Sequence, residues 1–132
     1  MMEPFDPLIA AKTILDQENI APVRMDKVGH VVGQPLILLS LVDVRRMVRH
    51  RLEVAEFVAH CYSEYKDEAL ALALRARNAL LNVPMRAVPG AVITDSHVIG
   101  PQDFPDEDSG EQRFLLSFSL FYYETGADEE MS

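Results

Sequence analysis

The stretch Leu52–Leu81 reads LEVAEFVAHCYS followed by EYKDEALALALRARNALL, and it sets most of the limits on this fold. Its first half is rich in Val, Phe, Cys and Tyr, residue types that suit a pleated surface. Leu52, Val54, Val58 and Tyr62 occupy one set of alternate positions; Ala55, Phe57, Ala59 and Cys61 occupy the other. Both faces are largely apolar, which predicts a central strand covered on both sides. The second half alternates Ala and Leu, yet it predicts a helix. Ala, Leu, Glu and Arg are strong helix formers, and the run far exceeds a strand of about six residues. Ser63 is the expected N-cap, with Glu64, Asp67 and Glu68 in the first turn and Pro84 beyond the final Leu80-Leu81. Ala69, Leu72, Ala73, Ala76 and Leu80 share one helical face, and its small alanines let the helix lie close to a sheet.

The flanking segments read as partners for this pair. Asp6-Pro7 looks like an N-cap followed by proline at the first helical position, opening a helix to about Gln17. Val23–Val28 is at most a weak edge strand, and Gly33-Gln34-Pro35 is a turn before an apolar strand, Leu36–Val42. Asp43–Arg51 is either a loop or the long arm of a hairpin with the central strand. Val83–Pro89 reads as a connection, Ala91–Ile99 as a strand, and Gly100–Gly110 as a loop rich in Gly, Pro and Asp. Gln112–Tyr123 is the clearest strand, with Phe114, Leu116, Phe118, Leu120 and Tyr122 on one face. The expected fold is α+β: a small, mainly antiparallel sheet of about four strands with helices packed on one face, in the order α-β-β-α-β-β. Residues 1–124 form one domain in this reading, and residues 125–132 a disordered acidic tail.

Composition narrows the function classes. A chain of 132 residues fits one domain, and 48% hydrophobic content is enough for a core. The single cysteine, Cys61, excludes an intrachain disulfide and sits in the most apolar strand, as a small core residue. Neither a signal peptide nor a run of 18 apolar residues is visible, which predicts a soluble protein of a reducing cytoplasm. A net charge of −9 argues against a protein built to grip phosphate backbones. That charge is unevenly placed. Arg45, Arg46, Arg49 and Arg51 crowd one short span with His50, while Asp103, Asp106, Glu107, Asp108 and Glu111 crowd a loop. Two solvated loops account for this pattern; so does a subunit with a basic side and an acidic side, suited to head-to-tail contacts that close into a ring.

The chemistry-bearing motifs are absent. From Asp106, the sixth position holds Glu111 and the twelfth Ser117, where a calcium loop of the EF-hand kind needs Gly and Glu. His30, His50, His60 and His97 lack zinc-ligand spacing. Asp95-Ser96-His97 carries triad residue types, but neighbours on a strand point to opposite faces. No nucleophile elbow, P-loop or dinucleotide fingerprint occurs, and neither an enzyme nor a cofactor or metal site is expected.

The order of elements, with several anchor residues, resembles the tail-terminator (tail-completion, or head-to-tail connector) proteins of long-tailed bacteriophages. The matching features are the proline-led strand Pro35–Val42, the strand ending His60-Cys61-Tyr62, and the helix with Glu68-Ala69 near its start. A strand closing on Gly100-Pro101, an Asp-rich loop and the aromatic strand Phe118–Tyr123 complete them. The resemblance spans about Pro35 to Glu124. It implies a virion structural protein forming a hexameric ring at the head-proximal end of the tail tube, ending tube polymerisation and joining tail to neck. Its implied partners are copies of itself, the tail tube protein and the neck connector, with DNA passing through the lumen unbound and no membrane. Its implied location is the tail or neck of the virion, assembled in the bacterial host's cytoplasm. A head–tail stopper and a small cellular α+β binding module are the alternative readings. The residues expected at the contacts are Arg45, Arg46, Arg49 and Arg51, with Asp103, Asp106, Glu107, Asp108 and Glu111 as candidate opposites.

Overall fold

The computed structural model describes residues 5–47, 52–84 and 86–125. Two helices, α1 (Pro7–Asp16) and α2 (Lys66–Leu81), accompany six strands: β1 (Val23–Arg24), β2 (Leu36–Arg46), β3 (Glu53–Ser63), β4 (Arg86–Val88), β5 (Ala91–Asp103) and β6 (Gln112–Glu124). The strands form one curled, mixed sheet in the order β1-β2-β3-β6-β5-β4, with β1 parallel to β2 and every other pair antiparallel. The fold is α+β as expected, but with six strands instead of about four, in the order α-β-β-β-α-β-β-β. The two additional edge strands are only two and three residues long: β1 falls within the weak edge strand allowed at Val23–Val28, and β4 within the expected connection Val83–Pro89. Alternation over so few residues leaves almost no periodic signal.

α2 lies across the sheet because its stripe is small. Ala69, Ala73, Ala76 and Leu80 have no exposed surface, and they share a core with Ile14 and Leu15 of α1 and the inward residues of β3 and β6. On β3 these are Ala55, Phe57, Ala59 and Cys61; on β6 they are Phe114, Leu116, Phe118, Leu120 and Tyr122. Phe57 and Phe118 sit opposite each other in the ladder and stack at 4.7 Å between ring centroids. Such a pair adds about 1 kcal/mol beyond its buried area. Asp6 caps α1 by accepting from the N–H groups of Leu8 and Ile9, as its position before Pro7 suggests.

Two local expectations change. α2 begins at Lys66 with Tyr65 as N-cap and no side-chain cap bond, while Ser63 remains the last residue of β3 and is buried. The strand takes in Ser63 itself, and the helix starts only at Lys66, three residues later. β3 is central, but only one of its faces lies under the helices. Glu56, Val58 and His60 on the other face are partly exposed, because both helices occupy the same side.

The long strands also exceed their expected ends. β5 continues through Gly100-Pro101 to Asp103, with a register shift between Ile99 and Gln102. Gly100 stands at φ +111°, where a Cβ atom would lie 2.6 Å from the Leu115 carbonyl oxygen; glycine is what permits that close pass. β2 likewise extends through Arg46, so Asp43–Arg46 form a hairpin arm with Glu53–Glu56, bulged between Leu41 and Asp43.

Candidate assembly surfaces

The arm is an amphiphilic projection. Leu41, Val42, Val44 and Met47 are all 40% or more exposed along it. The Arg45 guanidinium lies 2.9 Å from Glu56 and 3.1 Å from Asp43, and Arg46 reaches Glu53 at 3.4 Å. These are surface ion pairs, which hold side chains in place without adding much stability. Arg49, His50 and Arg51 lie outside the described residues.

The acidic loop between β5 and β6 is built differently, because its carboxylates divide into two kinds. Glu107 and Asp108 face solvent. Asp103 is exposed and meets Lys66 of α2 at 2.7 Å. Asp106 turns inward, accepting from the N–H groups of Asp108 (3.0 Å) and Ser109 (3.4 Å), with Lys27 at 3.6 Å. Burial works against its charge, but the Ser109 and Asp108 N–H groups and Lys27 outweigh it and hold the carboxyl below the usual carboxylate range.

Glu111 is a structural residue. It is only 2% exposed, and one carboxylate oxygen accepts from the Gly33 N–H (3.0 Å) and lies 2.8 Å from His30 Nε2. The other faces Lys27 at 3.4 Å. Burial raises its pKa, yet the hydrogen bonds from His30 and the Gly33 N–H prevail and leave it lowered. Lys27 also sits over the Tyr62 ring at 4.3 Å, and Arg113 donates to Tyr62 and to the Phe104 carbonyl. Glu111 therefore ties the connection between β1 and β2 to the start of β6, and its carboxylate is engaged inside the chain. Lys27, His30, Tyr62 and Arg113 carried no spacing signal as a group; His30 and Glu111 are 81 positions apart.

The arm and the loop occupy opposite ends of the same strands. Arg46 pairs with Glu53 at one end of β3, and Ser63 pairs with Gln112, next to the loop, at the other. The eleven residues between them span about 33 Å. Among the described residues, Arg45 and Arg46 lie at one end of the sheet and Asp103, Asp106, Glu107, Asp108 and Glu111 at the other.

Between the ends lies the sheet face away from the helices. Val42, Glu56, Val58, His97, Ile99, Ser117 and Ser119 line a groove of about 300 Å³ there. Val42 and Ile99 are 61% and 63% exposed. Among the described residues, no group of three or more His, Cys, Asp or Glu is placed to hold a metal ion. None of the described helices is long and apolar enough to cross a membrane.

No protein-family model matches this chain, and no curated protein matches it. Among solved structures, a chain from the virion of a native gene transfer agent (GTA) particle is similar, with a TM-score of 0.58 and 16% sequence identity. The likeness covers 89% of this chain and 90% of that one, so the two share a fold along almost their whole lengths.

Proposed function

We propose that this chain is a structural protein of a phage-like virion and, within the particle, a tail terminator. The observation that carries the reading is the fold shared with a GTA virion chain over about nine-tenths of both molecules. The order of elements supports the finer assignment, since it is the one that resembles tail-completion proteins. The ring forms at the head-proximal end of the tail tube, stops its growth and offers its other rim to the neck. Hexameric closure follows from the same resemblance, as do the tail tube protein and neck connector as partners.

The two-ended charge gives such a ring two different rims. With the strands of neighbouring copies aligned, every arm, with Arg45 and Arg46, falls on one rim, and every acidic loop, with Glu107 and Asp108, on the other. Asymmetric rims suit a part that must bind a tube below and a neck above, and their different charge patterns steer each partner to its own side. DNA only passes through the lumen, so the chain's net charge of −9 keeps it from adhering to the wall. No catalytic role is assigned.

Light scattering on the purified protein, with negative-stain images of the same sample, tests the reading. A hexameric ring, or a monomer that becomes one when tail tubes are added, is the expected result. A monomer or dimer that ignores tubes removes the terminator assignment and favours a stopper or a binding module.

A further inference from the structure

The four long strands leave two open edges, and these lie level with each other. β1 covers β2 only at Ile37 and Leu38, so β2 has no outer neighbour from Leu39 to Arg46 among the described residues. β4 covers β5 only over Ala91–Ile93, so among the described residues β5 is open beyond it on the opposite flank. The ladder can be followed row by row across the sheet. Ser40, Val58, Ser117 and Ile99 share one row; Asp43, Glu56, Ser119 and His97 another; Arg45, Val54, Phe121 and Asp95 a third. Both open edges therefore occupy the same rows.

We propose that the open edge of β2 in one copy pairs antiparallel with the open edge of β5 in the next, joining the sheets side by side around a ring. The topology dictates the direction. β2, β3, β6 and β5 alternate, so a copy placed by rotation about an axis along the strands brings its β2 antiparallel to β5 of its neighbour. The short strands leave room. β1 stands beside Ile37 and Leu38 at one end of the seam and β4 beside Ala91–Ile93 at the other, so neither blocks the rows between.

The side chains are complementary in the same register. Arg45 falls opposite Asp95, Asp43 opposite His97, and exposed Ile99 beside Ser40. A row further in, Leu41 meets Val98. Unpaired N–H and C=O groups along two such edges are a template for strand pairing, and a closed ring of sheets removes both edges at once. Pro101, which would interrupt pairing, lies past Ile99 and outside the matched rows. The inference rests on the ring reading for closure; the seam itself is a separate claim.

The test is the full chain carrying Ser40→Cys and Ile99→Cys together, incubated with and without tail tubes under mild oxidation. Cys61 is buried and remains in place. The expected result is a ladder of covalent oligomers on non-reducing denaturing gels, ending at the copy number of the ring, with neither single variant giving a ladder. Ring-sized particles that do not cross-link overturn the seam and leave the ring reading standing. A monomer under every condition, with no cross-links, overturns both.

A second variant blocks the edge. The Ile37 N–H reaches the Pro22 carbonyl, away from β3, so alternation turns the N–H of Leu41 outward as well. Leu41→Pro removes an outward donor without breaking a β2–β3 bond. It is expected to leave the circular dichroism of the monomer unchanged and to lower ring assembly at least tenfold. Undiminished assembly counts against the seam, and if the variant misfolds, the cysteine pair still decides.

Discussion

The two ends of the sheet are both charged and both rich in loops or arms, yet they are held by different forces. At the arm end, Arg45 and Arg46 pair with Asp43, Glu53 and Glu56 in solvent, and the backbone ladder between two strands keeps the shape. At the loop end, a buried carboxylate and an inward-turned aspartate fasten two connections to each other and to β6. Solvated ion pairs cost little to exchange for a partner's charges, whereas a buried network cannot be traded without unfolding its surroundings. The arm is thus the end whose charges are available for a partner. The loop end is a preformed surface on which only the outer acids are available.

The largest test of that contrast is Glu111→Ala. It strands the Gly33 N–H and His30 in a nearly closed site, while Lys27 keeps Asp106, and the expected loss is about 3 kcal/mol in urea unfolding. A loss below about 1 kcal/mol would break the comparison.

Acid should reach the same end first. The carboxyls of Glu111 and Asp106 have lowered pKa values in the folded chain, so the stability they contribute is present above their unfolded values of about 4. That stability is lost as pH falls through the lower folded values. His60 acts in the same direction at higher pH: burial, then Arg113 and Lys27, lower its pKa, so protonation below about 6.5 favours the unfolded chain. Amide exchange from pH 7 to pH 3 should show the residues around Gly33 and Glu111 losing protection before those of the arm. Simultaneous loss at both ends would show that the network is not the weak point.

A smaller effect on folding is expected at the arm. Arg45→Glu with Arg46→Glu should leave the unfolding midpoint of the monomer close to that of the parent, while ring assembly or tube attachment falls about tenfold or more. Adding Asp95→Arg to Arg45→Glu should recover assembly if the seam register is correct, and sedimentation of the three variants sharpens this directly. Smallest of all, Glu107→Ala with Asp108→Ala should stay within about 0.5 kcal/mol of the parent in thermal unfolding, since both face water.

Much of this architecture is legible in the sequence because its long elements repeat a pattern. β3, β6 and α2 each carry enough alternating or helical positions for the period to stand out, and the alanine stripe of α2 already says that a sheet lies beneath it. β1 and β4 are too short to show any period. The Ser63 cap fails for a related reason: tertiary pairing with Gln112 draws into β3 a residue whose local preference is to start a helix. The acidic loop hides most. Asp106, Glu107, Asp108 and Glu111 look alike in the chain, and what separates them is the distant loop carrying Lys27, His30 and Gly33. The span Asp43–Arg51 reads equally as a loop or a hairpin arm in the sequence, and only the ladder between Asp43–Arg46 and Glu53–Glu56 decides for the arm.

Cys61 is the one thiol of the chain. It is fully buried on the helix side of β3, flanked by Ile37 and Phe114, and burial pushes its thiol up to about 12. A thiol so placed supplies almost no thiolate at neutral pH and no path for a reagent. Alkylation can therefore proceed only when β3 leaves the sheet, which makes the labelling rate of this one sulfur a clock for opening of the core. Subunits built into a finished ring should run that clock more slowly than free ones, since any contact that binds only the folded chain lowers the population of the open state.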